Sequence, residues 1–476
     1  MLVDDVLLEI FHFCRKIHYD LPDSERNCWP LIPAWNWCLL AHVCRRWRQI
    51  IFDSSRRLNL RILCTNGSPI RTNLGIWPAY PIDLELRSPI SLKPEDEENA
   101  IAALERRDRV NTVDLCALGS LLGKMAAVMQ EPFPVLTRLC MYSKDQNTPV
   151  LTAAFLGGSA PHLQEITLYR IPFPALPTLL LSTGDLVTLN LFDIPTPGYI
   201  SPERMVACLA TLPRLNMLAI RFQPLSPRPD RIRPPPIARL VLPALTFLEF
   251  RGAFGYLEDL VAQIDCPHLE QVSIRYIDSS DGFQVTQLSE FIDRSIGPEL
   301  TPSRHARVNL HSEQVAFTLT REYANYPGWD RRSVATYISY EAFEWEMPDV
   351  ARTLCQFSAA LRTVVHLELD SLLDDDFYAD GAYDIEWLDL LRQFPAMQML
   401  HVSTGEIAEP VFYVLEDITA ELVAEVLPSL GLIYIEGTPA SSLEKIVAIR
   451  QLSGRPITVV ETTNEFNERV ESYVSR

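Results

Sequence analysis

Leu136-Thr137-Arg138-Leu139-Cys140-Met141 and, one period later, Leu163-Gln164-Glu165-Ile166-Thr167-Leu168 carry apolar residues at the first, fourth and sixth positions. The same hexad precedes them as Val110/Val113/Leu115 and follows as Leu186/Leu189/Leu191, Leu215/Leu218/Ile220, Leu245/Leu248/Phe250 and Leu269/Val272/Ile274. The first residues of these seven lie 26, 27, 23, 29, 30 and 24 apart. Three further copies, Val364/Leu367/Leu369, Met397/Leu400/Val402 and Leu430/Ile433/Ile435, follow at intervals of 33 and 33. Apolar residues alternating with polar ones over so short a run describe a strand with one buried face. A unit of this size cannot cover that face alone, so the copies must stack.

A period of about 20–29 residues, longer where helices are inserted, is that of leucine-rich repeats. Pro134, Pro161, Pro213, Pro243 and Pro267 each stand two residues ahead of a hexad. There proline ends a preceding helix and sets an extended entry, which explains 36 prolines against 18 glycines. The interval 275–363 holds no clean copy; Val308-Asn309-Leu310 and Ala316-Phe317-Thr318-Leu319 read as strand fragments of a hairpin or of degenerate repeats.

The 476 residues carry a net charge of −19. Residues 1–65 hold +2, residues 66–340 hold −4 and residues 341–476 hold −17. Nucleic acid is therefore not an expected partner, since a phosphate-backbone binder needs a basic surface. Solvated acidic faces account for the last third better than a taste for cationic partners does. No apolar run approaches the roughly 18 residues of a membrane span, and Met1-Leu2-Val3-Asp4-Asp5 is acidic where a secretory leader is basic. A soluble cytoplasmic or nuclear protein with no membrane partner is expected. Ten cysteines are too dilute for a disulfide framework and should be reduced thiols.

The first 65 residues read differently. Asp4 and Asp5 open a helical stretch in which Val6, Leu7, Ile10, Phe11 and Cys14 recur at helical spacing. Pro22, Pro30 and Pro33 interrupt it, and Trp37, Leu40, Ala41, Cys44 and Trp47 resume it, followed by Ile50 and Ile51. Three short helices in so few residues bury little surface alone, and such a module leans on a partner.

Leu2-Val3-Asp4-Asp5-Val6-Leu7-Leu8-Glu9-Ile10-Phe11 and Leu40-Ala41-His42-Val43-Cys44-Arg45-Arg46-Trp47-Arg48-Gln49-Ile50 together resemble an F-box. With Leu58-Asn59-Leu60 and Trp77-Pro78-Ala79-Tyr80-Pro81-Ile82, the first 85 or so residues are similar to fungal F-box-like leucine-rich-repeat proteins. The resemblance implies a Skp-type adaptor and a cullin scaffold as partners, within a cullin-RING ubiquitin ligase. It implies Leu2, Val6, Leu7, Ile10, Leu40, Val43 and Trp47 as adaptor-facing or module-core positions. Val3 stands where the family carries proline, and residues 15–34 form an insert.

The expected fold is thus α/β: a short all-α F-box-like module over 1–65, then a curved irregular leucine-rich-repeat solenoid over 66–475. In such repeats the third, fifth and seventh residues project from the strand face. The seventh positions read Tyr142, Tyr169, Phe192, then Arg221, Arg251, Arg275, then Asp370, Ser403 and Glu436. Aromatics and arginine dominate binding hot spots, so the first six are the candidate target-binding residues. The arginines can fork onto carboxylate or phosphate. Exposed strand positions also favour aromatic and long charged side chains without any ligand.

Cys14/His18 and Cys38/His42 each span one helical turn and, with Cys28 and Cys44 near, have zinc-ligand character. The same cysteines fall on packing faces, where a free thiol behaves as a small apolar group, so no metal is expected. Asp374-Asp375-Asp376 lacks a calcium loop around it, and Pro224 to Pro236 reads as an extended connection. No phosphate loop, nucleophile elbow or HExxH motif occurs, so neither catalysis nor a cofactor is expected. Two other functions fit the same residues: an interaction scaffold with a structural F-box-like module, or a small-molecule receptor with a deep pocket by the aromatic block.

Overall fold

Each hexad after the first is entered through one tight turn. The N–H of its first residue donates to the carbonyl three residues earlier, as Leu136 to Phe133 (3.3 Å), Leu163 to Ala160 (3.2 Å) and Leu215 to Leu212 (3.1 Å). Pro134, Pro161, Pro213, Pro243 and Pro267 occupy the second position of that turn, where a ring fixed near φ −65° is preorganised. Pro395 and Pro428 do the same ahead of Met397 and Leu430. The prolines are therefore turn-formers within the repeat as much as helix stops. The carbonyl of the second hexad residue then takes two N–H groups from the next repeat. Thr137 accepts from Gln164 (2.8 Å) and Glu165 (3.1 Å), and Gln398 from Gly431 (3.0 Å) and Leu432 (3.1 Å). This forked bond sets the register of each strand on its neighbour.

The computed structural model describes residues 3–16, 37–55, 57–87, 93–223, 238–277, 285–295, 305–311, 314–320, 334–341, 352–372, 384–403, 408–416, 418–419, 421–436 and 443–462. They divide into two packed units, Met1–Leu186 and Val187–Arg476, rather than at residue 65.

The first unit begins with α1 (Asp4–Lys16), α2 (Trp37–Val43) and α3 (Arg45–Asp53). The apolar stripe expected to run through Trp47 is broken at Cys44, which is extended (φ −160°, ψ 168°) and caps α3 by accepting the Trp47 N–H on Sγ at 3.4 Å. Leu7, Leu8, Phe11, Ala41, Ile50, Ile51, Leu58 and Leu60 form one small core. Trp77 and Tyr80, from just before the second strand, pack on it beside Trp47. The helices thus share their core with the start of the repeats.

Five parallel strands follow: β1 (Ile62–Cys64), β2 (Ile82–Arg87), β3 (Val110–Ala117), β4 (Arg138–Ser143) and β5 (Glu165–Tyr169). Hexad positions meet in register, Val113 on Leu139 on Ile166 and Leu115 on Met141 on Leu168. All six are at most 1 % exposed. Strands β1 and β2 extend the ladder before the first legible hexad, with Leu84 on Val113 and Leu86 on Leu115.

The second unit contains β6 (Thr188–Ile194), β7 (Met217–Phe222), β8 (Leu240–Val241), β9 (Phe247–Gly252), β10 (Ile264–Asp265), β11 (Gln271–Ile277), β12 (His305–His311), β13 (Gln314–Thr320), β14 (Val334–Glu341), β15 (His366–Leu372), β16 (Met399–Val402), β17 (Leu432–Glu436) and β18 (Thr458–Thr462). Its main sheet runs β6-β7-β9-β11-β14-β13-β12-β15-β16-β17-β18, and β8 pairs β10 in a two-stranded piece. Leu218, Leu248 and Val272 stack in register, as do Leu367, Leu400 and Ile433. The interval without a clean hexad holds a three-stranded antiparallel meander, β12-β13-β14. Its outer strands join parallel neighbours on both sides, β14 on β11 and β12 on β15, and only β13 runs backwards.

Candidate functional site

The third, fifth and seventh hexad positions lie on the face of the strands opposite the buried leucines. In the first unit this face pairs its own charges across strands. Arg61 meets Asp83 at 3.1 Å, Arg87 meets Asp114 at 3.2 Å and Arg138 meets Glu165 at 3.2 Å. Burial, reinforced by Asp114 and Asp83, pushes the Glu85 carboxyl above its ordinary range. Burial beside Glu165 pushes the Cys140 thiol up to about 12, so it stays protonated and unreactive. Tyr142 and Tyr169 stack with centroids 5.7 Å apart, and the Arg170 guanidinium lies 5.0 Å from the Tyr169 ring. Arg170 takes φ +59°, the left-handed region, which places it over the ring.

In the second unit a register shift after Leu191 interrupts the ladder, and the Arg221 guanidinium sits 4.6 Å from the centre of the Phe192 ring. Arg221 also grips Glu249, with Nε to Oε1 at 2.7 Å. Arg221, Arg251 and Arg275 are direct register partners on β7, β9 and β11. The next residues of that row are Ser339 on β14, Ala316 on β13 and Asn309 on β12, and then Asp370 on β15. The meander therefore stands between the basic block and the acidic end, which the sequence placed side by side. Ser403 donates to Asp370 at 2.7 Å, and His401 Nε2 meets Glu436 at 3.2 Å.

One row over, Glu368 is held by Arg307 and by His305 Nε2 at 3.3 Å. Burial alone would raise this carboxyl, but hydrogen bonds from His305 and Arg307 hold it down to about 2. His366, whose ring lies 4.6 Å from that of His305, is lowered to about 4 by burial and by the neighbouring His305. Elsewhere Glu258 caps the helix α4 (Thr286–Ser295), accepting the N–H groups of Gln287 (2.8 Å) and Leu288 (3.0 Å). Burial outweighs those bonds and pushes its carboxyl up to about 7.

The seven positions of the helical head divide. Leu7 is inside the small core, and Leu40 and Trp47 pack partly against it. Val6, Ile10 and Val43 face solvent with Val3, and Val6 and Ile10 line an open depression with Asp5 and Glu9. Leu2 lies outside the described residues. Arg46 to Asp4 (Nε to Oδ1 3.1 Å) and Arg57 to Glu9 (2.6 Å) tie α1 to α3 and to the chain just after it.

His18, Cys28, Asp374 to Asp376 and Pro224 to Pro236 also lie outside the described residues, as do the side chains of Cys14 and Cys38. Among the described residues no group of histidines, cysteines and carboxylates is arranged to hold a metal ion, and no helix is long and apolar enough to cross a membrane. Besides the depression on α1, a small void lies between Tyr276, Phe317, Ile338 and Phe357 in the second unit; neither is lined by Tyr142 or Tyr169.

Compared with known proteins, the chain matches no protein-family model, and no curated protein matches it. Among solved structures, the leucine-rich repeat-containing protein LegL7 from Legionella pneumophila is similar at 14 % identity and a TM-score of 0.25. The match covers 84 % of this chain and 99 % of that one. The repeat class of the fold is defined within the chain itself, by hexads that pair position for position on consecutive strands.

Proposed function

We propose that the chain is a substrate-recognition subunit of a cullin-RING ubiquitin ligase. Its head would dock a Skp-type adaptor and its strand face would hold a protein target. It would perform no chemistry of its own. Its contribution would be a raised local concentration of the target near the conjugating enzyme.

The observation that carries this reading is the head's outward apolar stripe. On α1 and the residue before it, Val3, Val6 and Ile10 are 63, 41 and 41 % exposed and share one helical face, while Leu7, Leu8 and Phe11 anchor the same helix from its other side. An apolar stripe on so small a module is a surface to be covered, and it falls within the F-box-like stretch. Phe192, Arg221 and the stacked Tyr142–Tyr169 pair are the aromatic and arginine anchors that a target would use.

Co-purification with a Skp adaptor tests the reading. The wild-type chain should form a complex at micromolar concentration, and Val6→Asp with Ile10→Asp should abolish it without lowering the melting temperature. Absence of any wild-type complex overturns the receptor assignment and leaves a repeat scaffold.

A further inference from the structure

Three histidines meet on the strand face where the meander joins the last repeats. His305 on β12 and His366 on β15 are direct register partners, with rings 4.6 Å apart and His366 only 6 % exposed. Among the described residues, the charged or titratable groups around His366 are His305 and Arg307 on β12, Glu368 on its own strand and His401 on β16. Glu368 is already shared by Arg307 and His305 Nε2, and His401 is engaged with Glu436 on β17. On the other side of β12, the Thr320 hydroxyl of β13 lies 3.2 Å from His305 Nδ1. This crowd can hold one extra proton but not two. A protonated His305 donates from Nε2 to Glu368 and from Nδ1 to Thr320, so both its N–H groups are satisfied. A proton on His366 then sets a second cation directly opposite the first, close to the Arg307 guanidinium and shielded from water. Like charges directly opposite each other destabilise a sheet, and burial leaves them little screening.

We propose that the β12–β15 joint is an acid-operated latch, closed while His366 is neutral and released when His305 and His366 are both protonated. The joint is a place where release has consequences: among the described strands, β15, β16, β17 and β18 reach the rest of the sheet through β12. The release is local. β15 loses its ladder bonds to β12, while the leucine floors on either side stay formed. The direction follows from burial. His366 is lowered to about 4 from 6.5, so the closed joint excludes a proton that the open joint takes up. The latch is therefore fully closed above pH 6.5 and loosens as the pH falls toward 4. It works whatever the strand face binds, and it does not rest on the receptor reading. A partner laid across both sides of the joint would lose its hold in acid.

Hydrogen exchange of the full chain, read by mass spectrometry and expressed as protection factors, tests this between roughly pH 7.5 and pH 4.5. Protection of 305–311 and 366–372 should fall about tenfold or more on acidification. The paired strands β7 and β9 of the same unit carry no histidine, and their protection should fall less than about threefold. His366→Gln keeps a polar side chain there but cannot take up the proton, so its protection at the lower pH should stay near the value at the higher one. His305→Gln removes the first cation and leaves Glu368 freer to meet His366, so it should suppress part of the fall. Melting curves at the higher pH establish that each variant is folded. Should a variant fail to fold, the contrast in the wild type between the β12–β15 pair and the β7–β9 pair still decides. Equal losses at the two pairs overturn the latch, and so does an acid loss that both folded variants leave unchanged.

Discussion

Two strand faces built on one hexad plan handle charge in opposite ways. In the first unit Arg61, Arg87 and Arg138 each find a carboxylate on the adjacent strand. In the second, one glutamate serves the first of three aligned arginines, and the next strand offers serine instead of a carboxylate. Cross-strand pairs are worth only about 0.2–1 kcal/mol each, so the arrangement is affordable for stability. The lesson is where to look for a partner: at the place where a cheap internal solution was not used.

Substituting equivalent core leucines separates faces from floor. Leu139→Ala and Leu248→Ala remove side chains at most 1 % exposed from the same hexad position in each unit. Each should cost about 2–5 kcal/mol, read as a fall in the urea midpoint, with no systematic difference between the units. A large difference would mean that the two floors are not equivalent and that the faces cannot be compared at constant scaffold.

Titration gives the next largest effect, and it belongs to the second unit. Glu258 is raised to about 7 from 4.5 in the fold, so the folded chain keeps a proton that the unfolded chain has lost. Its stabilising share is complete below pH about 4.5 and is lost as the pH rises through 7. Glu258→Gln should flatten that decline in melting curves between pH 5 and 8. His366 is lowered to about 4 from 6.5 and acts in the reverse sense. Its share is present above 6.5 and is lost as the pH falls through 4, and His366→Phe should remove this loss.

The smallest effects compare the two faces. Asp114→Asn strips Arg87 of its carboxylate and should cost about 0.5–1 kcal/mol. Glu249→Gln strips Arg221 of its carboxylate in the second unit and should cost a similar amount by thermal melting. No loss in either variant would show that both faces hold their arginines through other contacts.

The repeat itself was legible in the sequence because leucine at the first, fourth and sixth positions reports a local requirement, one buried strand face per turn of the array. Strand β2 was missed because Pro81 stands where the hexad's first apolar residue is sought. The role of the prolines was half legible: spacing located them, but only the carbonyl three residues before each hexad shows that they form turns. The meander was visible as strand fragments, yet pairing order is a long-range property that no local pattern carries. For the same reason the row Arg275–Asp370 was expected to be continuous, and Ser339, Ala316 and Asn309 were overlooked. Glu249 was readable as a fifth-position residue, but not as the partner of Arg221. In the head, helical spacing could not say which apolar residues face in, because Leu7 and Val6 both belong to an apolar run.

The reversed strand β13 also divides the second unit as a folding problem. Parallel repeats can add one after another, each templated by the unit just completed. At the meander that relay stops, because β11 must wait for β14, a strand more than fifty residues further along the chain. The repeats before it and those after it are thus two separately growing stacks, and their joining is a late, non-local step that should dominate the refolding time.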